Sequence, residues 1–204
     1  MNKIFIFVIL TIIKLTLSVN SDEGTFLYFA YGSNLLAKRL HINNPSAVFY
    51  STAKLKDFRL DFNIDDDVWN GAVATIVEDP GEIVWGDLWS LHNSDLKHLD
   101  NQEMAEGWYF AKNVTVTTSN GTDILARTYE LVDNPAKLPE GEIIPPGRRP
   151  SITYLKVIIA GAIESNLPPE YIEYLKNIPT NGKIGTRKIR NRLGYPFNTT
   201  TLEI

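Results

Sequence analysis

Cysteine is absent from the 204 residues. That removes disulfide staples, thiolate nucleophiles and every zinc site built on Cys ligands. Histidine occurs three times, at His41, His92 and His98, with no H-E-x-x-H spacing, so no metal site is expected. Neither a phosphate-binding Walker loop nor a dinucleotide fingerprint is present. Gly32-Ser33-Asn34 lacks the second glycine of a hydrolase nucleophile elbow. An excess of positive charge is missing too. Twenty Lys and Arg stand against 24 Asp and Glu, which argues against nucleic acid as a partner, because such a partner wants a basic face. Long apolar runs are also missing. The longest stretch, Ile4 to Ile13, has ten residues with Thr11 as its one polar member, and a bilayer span needs roughly 20.

What that short run does match is a secretory leader. Lys3 precedes it, Lys14 ends it, and small polar residues follow, so residues 1–20 read as a signal peptide cleaved near 18–20. Its removal takes Lys3 and Lys14 and leaves 18 basic against 24 acidic residues, a net charge of -6. Three glycosylation sequons, at Asn113, Asn120 and Asn198, agree with a secreted, extracellular product that has no membrane anchor after cleavage. The remainder, 44% apolar over the whole chain, suits one domain at residues 21–180. Residues 181–204 read as a basic tail, with Lys183, Arg187, Lys188, Arg190 and Arg192 and no acidic residue between 183 and 192. It is either solvated or a patch for an acidic partner.

The first half is rich in strand patterns. TFLYFAY (25–31) is apolar on both alternating sets, as in a doubly buried strand. KLKDFRLDFN (54–63) puts Phe58, Leu60 and Phe62 on one face and Asp57, Arg59 and Asp61 on the other. Asn70-Gly71 and Asp79-Pro80-Gly81 read as turns around AVATIVE, with EIVWGDLWSL following as a strand. SNGT (119–122) reads as a hairpin turn. Helices are expected over Leu35–Ile42 behind an Asn34 cap, over NSDLKHLDNQE, over TYLKVIIAGAIESN and over PEYIEYLKNI. Residues 133–151 carry five prolines and must be a connection or a lid. Strands first and helices last indicate an α+β domain with a closed or strongly curved sheet.

Two features could carry chemistry. The strand-to-helix turn Tyr31-Gly32-Ser33-Asn34-Leu35 could point several backbone N–H groups, aided by the helix dipole, at a carboxylate or phosphate. The same residues would equally cap a helix. Glu103, beside Trp108 and Tyr109, could be desolvated enough to carry a proton near neutrality. It could equally be an ordinary surface residue, and Asp100 is a rival carboxylate one turn earlier.

The stretches FLYFAYGSNLL, NPSAVF, KLKDFRLDF, NGAVATI, PGEIVWGDLW, LDNQE and GAIESNLPPEY, in this order over about residues 25 to 178, resemble the γ-glutamylcyclotransferase family in its animal branch. The resemblance implies a small closed antiparallel β-barrel with flanking helices, often a homodimer. It implies an enzyme, a lyase that needs no cofactor or metal. The α-amine of a γ-glutamyl amino acid attacks the γ-carbonyl, giving 5-oxoproline and a free amino acid. It assigns Glu103 as catalytic acid and base, and Tyr31, Gly32, Ser33, Asn34, Leu35, Tyr109 and Tyr154 as substrate-binding residues. The leader, the sequons, the proline-rich segment and the basic tail depart from the animal pattern. Two other readings stay open. One is a γ-glutamylamine cyclotransferase. The other is a secreted, non-catalytic carrier or effector of small ligands on the same fold.

Overall fold

The computed structural model describes residues 24–104 and 107–199, and the side chains of 102–104 lie outside that description. The expected leader, residues 1–20, also lies outside it. Five strands close into a barrel in the order β1-β3-β2-β4-β5. They are β1 (Thr25–Ala30), β2 (Val48–Asp66), β3 (Gly71–His92), β4 (Tyr109–Thr118) and β5 (Asp123–Leu131). The barrel and its helices are as expected, with one refinement. The closing seam, Tyr28 against Arg127, runs parallel, so the sheet is mixed. The other strand pairs are antiparallel.

β2 and β3 are far longer than a typical strand of about 5–6 residues. Asn70, at a positive φ of 55°, reverses the chain between them. The Asp79-Pro80-Gly81 sequence does not reverse the chain as expected. Register runs from Phe58↔Glu78 to Lys56↔Ile83, so residues 79–82 bulge opposite Asp57 alone. Gly81 adopts φ 91° and its N–H donates to Asp57 Oδ1 at 2.9 Å. The bulge lets one strand bend around the barrel instead of ending.

Part of the polar face of β2 is covered as well, with Asp61 buried and Arg59 half-buried. The proline-rich segment lies on it. Arg148 Nη2 stands 2.6 Å from Asp61 Oδ1, Lys137 Nζ 2.7 Å from Asp79 Oδ2, and Arg59 Nη2 donates to Pro135 O at 2.7 Å. Opposite charges brought together with little water between them are what hold a segment too rich in proline to form its own ladder.

The helices are α1 (Ala37–His41), α2 (Leu96–Met104), α3 (Ile152–Glu164), α4 (Pro169–Lys176) and α5 (Arg187–Leu193). Ser151 caps α3 by accepting from Tyr154 N, and α3 buries Leu155, Val157, Ile158 and Ala162. In the basic segment Ile189 and Leu193 of α5 join the same core. The expected continuous helix over Leu35–Ile42 is not formed. A 3-10 turn covers Ser33–Leu35, Leu36 is extended at φ -74° and ψ 115°, and α1 starts only at Ala37. Asn34 caps nothing. Its Nδ2 donates to the Tyr28 hydroxyl at 3.0 Å.

The break follows from packing. Leu35 and Leu36 are both buried, and α3 presses directly on the backbone between them. Gly161 of α3 makes room for this. A Cβ there would lie 2.5 Å from Leu35 C and 2.6 Å from Leu35 Cβ. Gly161→Ala should therefore destabilise the fold by about 1–3 kcal/mol, despite the better helix propensity of alanine. Urea denaturation measures this directly.

Asp87 on β3 is wholly buried, and neither carboxylate oxygen has a hydrogen bond of good geometry. Burial pushes its pKa up to about 8, the charge of Glu164 adds to the rise, and the nearby Ser165 hydroxyl opposes it. The unfolded chain releases this proton near 3.8. Between those values the folded chain holds a proton that the unfolded chain has lost, so stability falls as pH rises from about 4 to about 8. Asp87→Asn should remove this slope and stabilise the protein above pH 8, by at most about 6 kcal/mol. Melting temperatures at pH 5.5, 7 and 8.5 for both proteins check it.

Candidate functional site

β1 ends at Ala30, and the chain leaves the barrel mouth through Tyr31 and Gly32. Directly behind lies Ala74 of β3. A Cβ on Gly32 would stand 3.3 Å from the Tyr154 hydroxyl and 3.4 Å from Ala74 Cβ, so the glycine keeps open the space between turn and barrel. The close approach favours glycine here.

That space is a narrow polar cleft. About 30 Å³ of it admits water-sized occupants, within about 310 Å³ of empty space counting the mouth. Tyr31, Gly32, Ser33 and Asn34 form one wall, and Tyr109 and Tyr154 form the other with Ala74. Both of these tyrosines fix the Ala74 peptide. Tyr109 donates to Ala74 O at 2.7 Å, and Ala74 N donates to the Tyr154 hydroxyl at 3.1 Å. The Tyr31 hydroxyl donates to Tyr129 O. The 3-10 bonds start with Leu35 N on Gly32 O, so the N–H groups of Ser33 and Asn34 precede the ladder, as first-turn donors do. The broken helix leaves a short turn to supply them, and the dipole of a continuous helix is not available.

Sequence reasoning placed Leu35 in this site. The structure turns it away, into a second cavity beside Ala37 and Asp87. Two residues of the cleft were not anticipated, Tyr28 and Tyr129. Tyr28 sits inside the quoted YFAYGSN stretch, and its alternation with Ala30 placed it in a buried strand. Nothing in the local sequence around Tyr129 signals the cleft, because β5 reaches it only through barrel closure.

Glu103 lies in the last turn of α2, and its side chain is outside the described residues. The rest of α2 is anchored at the cleft. Leu99 is fully buried beside Tyr28, Trp89 and Tyr129. Asp100 Oδ1 accepts from Arg127 Nη2 at 2.6 Å, from Arg127 Nε at 3.2 Å and from the Tyr129 hydroxyl. Desolvation, then the hydrogen bond to Asp100, pushes the Tyr129 pKa upward, so this phenol stays protonated. The rival carboxylate Asp100 is thus committed to holding Tyr129 and Arg127.

No charged side chain lines the cleft among the described residues. None of residues 133–151 lines it either, so that segment is a pinned connection and no lid over this site. Among the described residues no cluster of three or more His, Asp or Glu could hold a metal. The three sequon asparagines are all exposed: Asn113 on β4, Asn120 in the β4–β5 turn and Asn198 after α5. No helix of the described residues is long and apolar enough to cross a membrane.

The architecture and the sequence can be set beside known proteins. The AIG2-like family model matches residues 83–175. The γ-glutamylcyclotransferase of Bos taurus is 45% identical over 167 residues, 79% of this chain and 83% of that one. The Homo sapiens γ-glutamylcyclotransferase is 44% identical over 169 residues, 80% and 84% of the two chains. A solved γ-glutamyl cyclotransferase structure superposes with a TM-score of 0.73 at 39% identity, covering 83% of this chain and 98% of that one. With such identity over most of both lengths, and with the YGSNL turn set at the barrel mouth, the chain belongs to the γ-glutamylcyclotransferase family.

Proposed function

We infer that this protein is a γ-glutamylcyclotransferase. It converts a γ-glutamyl amino acid into 5-oxoproline and the free amino acid. The observation that carries this reading is the neutral, hydroxyl-lined cleft built on the Tyr31–Asn34 turn, in a chain about 45% identical to curated enzymes of that name.

The reaction is intramolecular. A C–N bond forms between the substrate's α-nitrogen and its γ-carbonyl carbon, and the bond from that carbon to the leaving nitrogen breaks. Two protons leave the α-ammonium, one before attack and one as its nitrogen becomes the lactam N–H, and the departing nitrogen gains two to leave as an ammonium. The residues offered by the cleft suit this task. The N–H groups of Ser33 and Asn34 and the hydroxyls of Tyr28 and Tyr154 can hold the glutamyl carboxylate and carbonyl oxygens. Holding one folded rotamer removes much of the entropic barrier. Glu103 is assigned as the proton carrier. Its place one turn beyond the anchored Asp100 supports the assignment, and so does the commitment of Asp100 to Arg127 and Tyr129.

A carboxylate entering a site without cations has its pKa raised, which suits a group that must both take and return a proton. The substrate class is small γ-glutamyl amino acids or dipeptides. The secreted location is part of the same proposal, supported by the leader pattern at residues 1–20 and by the exposure of all three sequon asparagines. Pairing into a homodimer is carried over from the family.

Purified protein given γ-glutamyl-alanine should release 5-oxoproline. Release from γ-glutamyl-ε-lysine instead would move the protein to the amine branch, and release from no γ-glutamyl compound by folded protein would sink the enzymatic reading. Glu103→Gln should lower kcat by about 10²-fold or more, with the melting temperature little changed; full turnover by this variant would remove Glu103 from the mechanism. Gly32→Ala should lower kcat/KM about tenfold or more by filling the wall of the cleft; an unchanged kcat/KM would mean that this wall does not touch substrate.

A further inference from the structure

On the far side of the Tyr31–Ala37 turn lies a larger cavity. It offers about 430 Å³ to water-sized occupants, within about 800 Å³ counting its open mouth. None of its lining residues is shared with the cleft. Leu35, Ala37, Ala47 and Val48 give it an apolar floor, and Phe49 packs edge-on to Trp89 with ring centroids 5.7 Å apart.

Two polar groups in its lining are out of keeping with that floor. Asp87 is 0% exposed and Trp89 is 3% exposed. Neither oxygen of Asp87 and not the indole N–H of Trp89 makes a hydrogen bond of good geometry, although the Ser165 hydroxyl, which donates to Gly161 O at 3.0 Å, lies near Asp87. Buried polar groups left unpaired are uncommon and destabilising, and these two line one hollow. Neither takes part in the cyclisation chemistry above.

We propose that this cavity is a binding site for a small organic ammonium compound with an aromatic body and one hydrogen-bond acceptor. Asp87 pairs with the ammonium, the exposed Phe49 covers one side of the ring, and the Trp89 N–H donates to the acceptor. The charge pattern selects this class. Asp87 and Glu164 line the cavity and neither Lys nor Arg does, so anions are disfavoured. A bare divalent cation is disfavoured as well, since no cluster of three acidic or histidine ligands exists among the described residues. The volume lies in the usual range for small-molecule sites.

The titratable and charged groups that face Asp87 are Glu164, at the end of α3, and His41, on the cavity wall from α1. The strands on either side place Ala30 and Thr52 opposite it, neither of which titrates. An ammonium ligand must bind the ionised carboxylate, so its binding tightens as pH rises toward the Asp87 pKa of about 8.

Isothermal titration calorimetry with tyramine tests the proposal. The controls are its neutral isostere tyrosol, which lacks the ammonium, and phenethylamine, which lacks the phenol oxygen. At pH 8.5 tyramine should bind at least tenfold tighter than tyrosol, and tighter than it does itself at pH 6. Asp87→Asn should remove the preference over tyrosol while leaving 5-oxoproline release unchanged. Trp89→Phe should remove the preference over phenethylamine. Equal binding of tyramine and tyrosol, no saturable binding up to millimolar concentration, or a preference that survives Asp87→Asn would overturn the proposal. Displacement of tyramine by γ-glutamyl-alanine would also overturn it, by placing the amine in the cleft. Because the readout is binding and not turnover, its failure is separable from any failure of the cyclotransferase reading.

Discussion

The contact between Gly161 of α3 and the backbone of Leu35 is the constraint on which the site depends. It holds a turn that has almost no regular structure of its own. Three residues of 3-10 helix, one extended leucine and five residues of α-helix would not keep a fixed shape in water, because helices this short do not pay back their nucleation cost. Pressed between α3 and the barrel mouth, the same residues are rigid. Residues 31–34 then face the cleft and Leu35 and Ala37 face the second cavity. The α3 surface acts as a template, and the absence of a side chain at one position of that helix is what lets it do so.

Around the turn, charge is kept out of the cleft and concentrated beside it. Arg127 and Asp100 brace α2 against β5, and the Arg59, Asp61 and Arg148 cluster braces the proline-rich segment against β2. The cleft receives only the neutral ends of such networks, among them the Tyr129 hydroxyl. Two consequences follow for the chemistry. A substrate is held by directional hydrogen bonds, which discriminate by shape, and among the described residues no cation lines the cleft to lock a proton carrier in its charged form.

Much of this was legible in the sequence, for reasons that differ by element. Strand alternation marked β1, β2 and the two halves of β3 because a period of two follows from backbone geometry alone. α3 and α4 were legible through an apolar run and proline punctuation. The Asp79-Pro80-Gly81 signal was read as a reversal, because a turn sequence and a bulge sequence share the same residues; only the partner strand decides between them. The break at Leu36 was also out of reach, since it results from Gly161, more than 120 residues further along the chain. Tyr31, Gly32, Ser33 and Asn34 were found through their adjacency, and Tyr109 and Tyr154 through family resemblance. Tyr129 needed the closed barrel, which sets β5 beside β1.

Asp100 and Asp87 show how environment assigns different roles to one side chain. Asp100 meets a guanidinium and a phenol, and the three hydrogen bonds it accepts turn it into a brace. Asp87 meets leucine, alanine and tryptophan, and has no such partners. A carboxyl group in that setting stays protonated near neutral pH and weakens the fold as pH rises, so it adds nothing to stability that an amide of the same shape would not supply. On the proposal above, a bound ammonium is the partner that supplies the opposite charge. The open mouth of the cavity, the aromatic pair beside the acid and the lack of any basic side chain in the wall all place that partner outside the chain.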